Sequence, residues 1–482
     1  MESIIIRNSK KMLNSLQNQF NNSLLRNIMH KSLQYFRSLL NESVLIPKIV
    51  SNESMLKGIE NSYSLNLVEV RKKESGEGIL QNSVIITSLT KERSLEVLIG
   101  LNVMLYPFLP TSFSILISIG MSLLMLYRMF KLDHIQHQSK PLIFSGWLFI
   151  LYLFISLLFN EVISDGVLVF INYFSVTLFM IAIVGFLKSK IALMNLIHLI
   201  AGLVFVLSLH GMYQYMVGVP VDPAWLDEST GGNVTRIYSV FGNPNVFGEF
   251  LVLTLPIIFA GANIQKKKAL KAIYSLVFVL GSLNVFLTFS RGAMLSFAIV
   301  IALMIVIWDK KYLPFLVMLL LVSPFILPAS VFARILTVFQ GGDTSTSYRM
   351  SIYMASLDML HDYPIVGVGL GNFKELYKIY AYTAAKSFHA HNTPLMVMIE
   401  LGIVGFIAWL YMMVIWFRQV MSVQKFKSCW SYYSFAAFAG VLGCSIQGLV
   451  DHVWHNSDIL FFYFFMMGIG YLSANAAKGE NN

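Results

Sequence analysis

The chain has 482 residues, 56% of them hydrophobic and only 12% charged, with a formal net charge of +10. A soluble globular domain carries about 45–50% apolar and about 25% charged residues, so this composition excludes an ordinary soluble enzyme. No basic stripe is interleaved with stacking aromatics, so nucleic acid is excluded as a partner, and the positive charge reads as the loop bias of a membrane protein.

Residues 1–93 come first, as a polar amphipathic extension on the cytoplasmic side. Leu13, Leu16, Phe20, Leu24 and Ile28 recur at three- and four-residue steps, flanked by Lys10, Lys11, Arg26, Lys31 and Arg37. That pattern fits a helix lying on an anionic inner leaflet, and equally a loosely ordered extension; no chemistry is assigned to it. Residues 1–30 lack the apolar core and small-residue site of a cleavable leader, so the first spanning helix is expected to act as the insertion signal.

From residue 94 onward the apolar residues fall in runs of roughly 17–25, the length that crosses a hydrocarbon core about 30 Å thick. Twelve spans are predicted, at 94–110, 112–130, 142–160, 167–187, 191–217, 246–263, 273–289, 292–308, 313–332, 395–417, 432–450 and 460–475. The fold class is therefore all-α, a polytopic membrane helix bundle of about 12 spans with a large outer loop containing an amphipathic helix. Lys and Arg gather in alternate short connections: Arg128, Lys131 and Lys140; Lys188 and Lys190; Lys266, Lys267, Lys268 and Lys271; Lys310 and Lys311; Arg418, Lys425 and Lys427. The connections between them, 161–166 and 451–459, contain neither. By the positive-inside rule both termini are expected to face the cytoplasm, with residues 476–482 as a cytoplasmic tail of a multi-pass protein of the cytoplasmic membrane. Trp308, Trp416 and Trp430 fall at the predicted inner ends of spans, where indole rings favour the headgroup level. Of the two cysteines, Cys429 falls in a loop and Cys444 in a span, so no disulfide framework and no thiolate metal site is expected.

Two outer segments are too long to be turns, 217–245 and 332–394, and segments of that length are usually functional or disordered. The second is expected to be ordered. Met350, Tyr353, Met354, Leu357 and Leu360 form a helical apolar stripe that stops at Asp362-Tyr363-Pro364, followed by a tight turn region at Gly367, Gly369 and Gly371.

Chemistry is sought at the outer face. Arg236, Arg291 and Arg349 fall there, with Arg291 between two apolar runs and without an acidic neighbour in sequence. A charge so placed either snorkels to the headgroups or faces a cavity. In the second case permanently charged guanidinium groups suit a diphosphate, whose oxygens they bind bidentately. His391 sits where the large outer loop re-enters the membrane, and it reads either as a general base or as a hydrogen-bonded junction residue. A metal cluster of His389, His391, His452 and His455 is the weaker reading, since no ligand motif is present. Glu400 falls inside the tenth span as an arginine partner, a helix-packing group or, less readily, a proton relay. Asp451 and His452 end the eleventh span and line the same cavity or a solvated turn. Asn233-Val234-Thr235 and Gly367-x-Gly369-x-Gly371 carry no function, the one a chance sequon and the other lacking a strand–turn–helix setting.

Four elements in order resemble the O-antigen ligase and O-antigen polymerase superfamily: Arg236…Phe241-Gly242-Asn243-Pro244-Asn245; Ser290-Arg291-Gly292-Ala293; Arg349…Pro364-Ile365-Val366-Gly367-Val368-Gly369; and His391-Asn392-x-x-Leu395…Glu400-Leu401-Gly402-x-x-Gly405. The resemblance covers 236–475, the core of a domain drawn at 94–475. It implies a metal-independent, inverting glycosyltransferase with no cofactor. The implied donor is a glycan on undecaprenyl diphosphate, and the acceptor a lipid, glycan or protein hydroxyl. By position Arg236 and Arg291 would hold the diphosphate, Arg349 would assist the leaving group, and His391 would take the acceptor proton. Asn245, Asn392, Glu400 and Asp451 would support them, and other polysaccharide-assembly membrane proteins would be partners. The resemblance leaves ligase and polymerase open, and with them O-antigen, teichuronic acid and exopolysaccharide as products. A transporter or flippase of lipid-linked oligosaccharide is the alternative; it would place ionisable groups and broken helices near the midplane, often in repeated halves, and no repeat is visible here. A non-catalytic scaffold, or a relative of cell-shape and division glycosyltransferases, is the third reading.

Overall fold

The computed structural model describes residues 91–132, 139–160, 163–220, 235–326, 344–381 and 387–481. The amphipathic pattern within 1–90 lies outside them. Every described element is helical: α1 Glu92–Leu105, α2 Thr111–Leu132, α3 Lys140–Leu157, α4 Ile163–Phe186, α5 Lys190–Val217, α6 Pro244–Ile264, α7 Lys268–Leu287, α8 Arg291–Ile307, α9 Leu313–Ile326, α10 Thr344–Asp362, α11 Phe373–Tyr380, α12 Thr393–Ser422, α13 Cys429–Gln447 and α14 Ser457–Asn481. The protein is a polytopic membrane helix bundle, because in hydrocarbon a helix satisfies all its own backbone groups.

Each of the twelve apolar segments coincides with a helix. Among the described residues nine helices are long and apolar enough to cross a bilayer, or ten if a bent pair counts as one. Two physical features separate this from twelve. Helix α1 has 14 residues, about 21 Å at 1.5 Å per residue, and Pro107 and Pro110 then turn the chain back. Helices α8 and α9 bend by 118° at the break between Ile307 and Lys310.

The centre of the bundle is formed by α6 and α14, whose spanning windows are 89% and 94% buried. Around them pack α13, α7, α4 and α8. Small residues set the closest approaches: a Cβ on Gly440 of α13 would lie 2.1 Å from the Leu253 carbonyl oxygen of α6. This is how helices associate in lipid, where no hydrophobic gain separates helix from solvent. Trp416 and Trp430, expected at the headgroup level, pack against neighbouring helices. They are 2% and 5% exposed, and the Trp416 indole donates to the Met467 carbonyl at 2.8 Å. A buried indole N–H usually finds such a partner.

Helix α10 forms as expected but buries a different face. Ile352, Ala355 and Met359 are fully buried against Phe373, Leu376 and Tyr377 of α11 and against Met396 and Ile399 of α12. Met350, Met354 and Leu357 of the expected stripe are exposed instead. Both stripes have helical spacing; the burial goes to the one facing α11 and the start of α12.

The most unusual backbone lies in α12, which is broken at Gly402 (φ 65°, ψ −175°). The strap 364–371 fills the break. Val368 N donates to Ile399 O at 2.8 Å, Gly369 N to Glu400 O at 3.1 Å, and Ile403 N to Pro364 O at 2.8 Å. The Glu400 carboxylate accepts from Gly371 N at 2.8 Å. Glu400 is thus a structural anchor for the strap. At Gly402 a Cβ would sit 2.3 Å from the Ile365 carbonyl oxygen, and its φ/ψ region is essentially restricted to glycine. Gly402→Ala is therefore expected to destabilise the protein by at least about 2 kcal/mol, read as a lowered thermal midpoint in detergent. A midpoint equal to wild type would show that the break is not needed.

Candidate active site

Helix starts converge at the end of the bundle that carries α10 and α11. Asn243 caps α6, its side chain accepting from Asn245 N at 2.8 Å, with Pro244 at the first helical position. Ser290 caps α8 through Ala293 N at 3.5 Å. Asn392 caps α12 through Leu395 N at 2.9 Å. Free N–H groups and the positive ends of helix dipoles at such starts favour anions. Three of the four non-glycine residues with positive φ among the described residues lie in these same segments: Ser239 at 50°, Phe289 at 53° and His391 at 48°. Conformations of that kind persist only where surrounding contacts over-determine them.

Arg236, 8% exposed, ties two of the starts together. Its Nε donates to the Thr288 carbonyl at 3.0 Å, just before α8, and its terminal nitrogen to Asn245 Oδ1 at 3.1 Å. Gln214 of α5 fixes the adjoining turn, accepting from Tyr238 N and Ser239 N and donating to Ser239 O. Arg291 is the first residue of α8. A Cβ on Gly248 would lie 2.6 Å from Ala293 Cβ, so the first turns of α6 and α8 touch. The two arginines and Asn245 therefore belong to one cluster.

His391 forms a second cluster. Its Nδ1 lies 3.1 Å from Asp451 Oδ1, with the two side chains 22% and 23% exposed. His452 N also donates to Asp451 Oδ1 at 2.8 Å. Burial alone would raise the Asp451 carboxyl; the His391 hydrogen bond and charge and the His452 N–H outweigh it and hold the group well below the ordinary carboxylate range. The Tyr353 hydroxyl of α10 donates toward His391 O at 3.0 Å and Leu449 O at 3.3 Å, and Asn392 Nδ2 donates to Leu449 O at 2.9 Å. Thr393 N donates to Gly448 O at 2.7 Å, and Val453 N to Thr393 Oγ1 at 3.1 Å. The start of α12 and the end of α13 are thereby sewn together around the His391–Asp451 pair. Arg349 lies one turn before Tyr353, and its charge acts on both Tyr353 and His389. The His389 imidazole, N-terminal to this pair, is pushed down to about 3, first by burial and then by His391, and is neutral.

Gln447 joins the clusters. Asp451 N donates to Gln447 O at 3.0 Å. The Gln447 side chain passes 3.2 Å from where a Cβ would stand on Gly292, beside Arg291, and donates to the buried Glu249 of α6 at 3.0 Å. From Arg291 to the Asp451–His391 pair is thus a continuous run of contacts.

Of the residues singled out in the sequence, His391, Asp451, Asn392 and Arg349 meet at one junction, and Arg236, Asn245 and Arg291 at the neighbouring one. Glu400 stands apart under the strap. Sequence reasoning missed Tyr353 as a hydrogen-bonding group, because its spacing fitted an apolar stripe. It also missed the Gln447–Glu249 link, for which a buried carboxylate in α6 was the available signal.

Across residues 276–410 the chain matches a family model described as O-antigen ligase. That segment contains Arg291, Arg349, His391, Asn392 and Glu400. A search of curated proteins gives no match.

Proposed function

From the match of residues 276–410 to a family model described as O-antigen ligase, we propose that the chain is a member of the O-antigen ligase and polymerase superfamily and moves a glycan from undecaprenyl diphosphate to an acceptor hydroxyl on the outer face of the cytoplasmic membrane. In this reading residues 94–475 are the transferase domain, 476–482 a cytoplasmic tail, and both termini lie inside. The acceptor is a lipid, a protein or a further glycan, within the assembly of a cell-surface polysaccharide. The observation that supports the reading is the His391–Asp451 pair, connected through Gln447 to helix starts that carry two arginines.

The chemistry is a single displacement with inversion. His391 accepts the acceptor's hydroxyl proton as the oxygen attacks the anomeric carbon. The bond from that carbon to the diphosphate oxygen breaks, and its electron pair leaves with the lipid diphosphate. Asp451 orients the imidazole and stabilises the imidazolium that forms, as a buried carboxylate does for a histidine base. Arg236, Arg291 and Arg349, with the N-terminal dipoles of α6 and α8, place positive charge where the leaving group becomes more negative.

A transporter would also use a broken helix. The break at Gly402, however, has its backbone groups occupied by the strap rather than left to line a passage. Purified protein in lipid, given a glycan on undecaprenyl diphosphate and an acceptor, is expected to lengthen or transfer glycan without any nucleotide and with activity undiminished in EDTA. Movement of the donor between leaflets without a new glycosidic bond would favour the transporter. Loss of transfer in EDTA, restored by a divalent ion, would overturn metal independence.

A further inference from the structure

Four imidazoles gather at the junction of the outer loop, α12 and the turn between α13 and α14. The His389 ring centre lies 4.2 Å from that of His391, 4.8 Å from His455 and 5.7 Å from His452. Potential ligand atoms of His389, His391 and Asp451, one from each, all lie within 4.8 Å of one another. The proposed transfer uses His391 and Asp451 and gives His389 and His455 nothing to do. A second observation also points to a ligand. His452, only 7% exposed, has a buried Nδ1 with no hydrogen-bond partner among the described residues. Buried polar groups are nearly always paired, so this imidazole adds a nitrogen in need of a partner to the wall of the cluster.

We propose that His389, His391 and Asp451 form a binding site for a divalent transition-metal ion of the zinc type, with His455 as the next available donor, and that the bound ion switches the enzyme off. Two imidazoles and one carboxylate are a set of three protein ligands that leaves a further position open. Imidazole selects zinc, copper or nickel, whereas magnesium and calcium seek oxygen. Asp451 supplies negative charge against which the nearby Arg349 must be set. Coordination occupies the imidazole nitrogen or the carboxylate that the base needs, so the metal competes with proton transfer. The inhibitory half rests on the functional reading above; the binding half does not.

The test uses full-length protein in lipid nanodiscs with Co2+ as spectroscopic probe and Zn2+ as competitor. One equivalent of Co2+ is expected to produce visible d–d absorption that Zn2+ abolishes. Loss of an outer partner alone costs a metal site about 10–100-fold in affinity, so His389→Gln should weaken binding by at least about tenfold, with His455→Asn as a second, surface variant expected to weaken it less. Zn2+ should inhibit wild-type transfer and EDTA should restore it, while His389→Gln transfers normally in EDTA and resists Zn2+. No absorption at saturating Co2+, or absorption unchanged in His389→Gln, overturns the site. Tight binding with transfer unaffected overturns the switch. Stoichiometric binding in a protein that transfers nothing even in EDTA supports the site and brings down the transferase reading instead.

Discussion

Replacing His391 with alanine is expected to lower glycan transfer by about 10²–10⁴-fold, the range contributed by a positioned general base. The protein should remain inserted and abundant, because the junction keeps the bonds from Tyr353, Asn392 and Thr393 that close it around Leu449 and Gly448. Asp451→Asn should cost less but in the same step, since His452 N–H would still meet the amide oxygen while the imidazolium loses its counter-charge. Near-normal turnover in His391→Ala would remove the residue from the mechanism. The pH dependence separates the two partners. A carboxyl held below its unfolded value of about 3.9 contributes stability that is fully present above that value and lost only as the pH falls through the lower folded one. Asp451 therefore stays ionised across the working range, and an activity loss between pH 8 and pH 5 cannot come from its protonation.

Arg291→Ala is expected to reduce transfer by about 10²–10³-fold, the usual cost of removing one group that stabilises developing negative charge. Arg291→Lys should recover only part, because an ammonium cannot make the planar two-point contact. Arg236→Ala should behave differently. Its guanidinium also holds the Thr288 carbonyl and Asn245, and hydrogen bonds to a charged group are worth about 1.5–3 kcal/mol each. Loss of activity in that variant should come with a lower thermal midpoint. If Arg291→Ala transfers at the wild-type rate, the diphosphate is held elsewhere.

The helices were legible because hydrocarbon permits little else, and each apolar run could be read as one. The length and straightness of each helix were not. A run of apolar residues does not say that Pro107 and Pro110 will end α1 after 14 residues, or that the chain will bend between Ile307 and Lys310. The site was readable as a set of residue types near one surface, since guanidinium and imidazole stand out against an apolar background. Pairings across long sequence separation were not readable: nothing local joins His391 to Asp451 or Gly292 to Gln447. Glu400 left its partner open between an arginine and a helix-packing group. An acid inside a span suggests a charge partner, yet its partner is the backbone N–H of Gly371, which has no signature in sequence.

The strap across Gly402 has a consequence for exchanging parts between relatives. Helix α12 surrenders its own backbone bonding at the break and receives it from residues 364–371. Neither piece is complete alone, and an unsatisfied amide at membrane depth costs several kcal/mol. A chimera that swaps the loop while keeping the native 393–405 would pair mismatched halves. One that transplants both together carries its own complement, so the natural unit of inheritance here crosses the boundary between loop and helix.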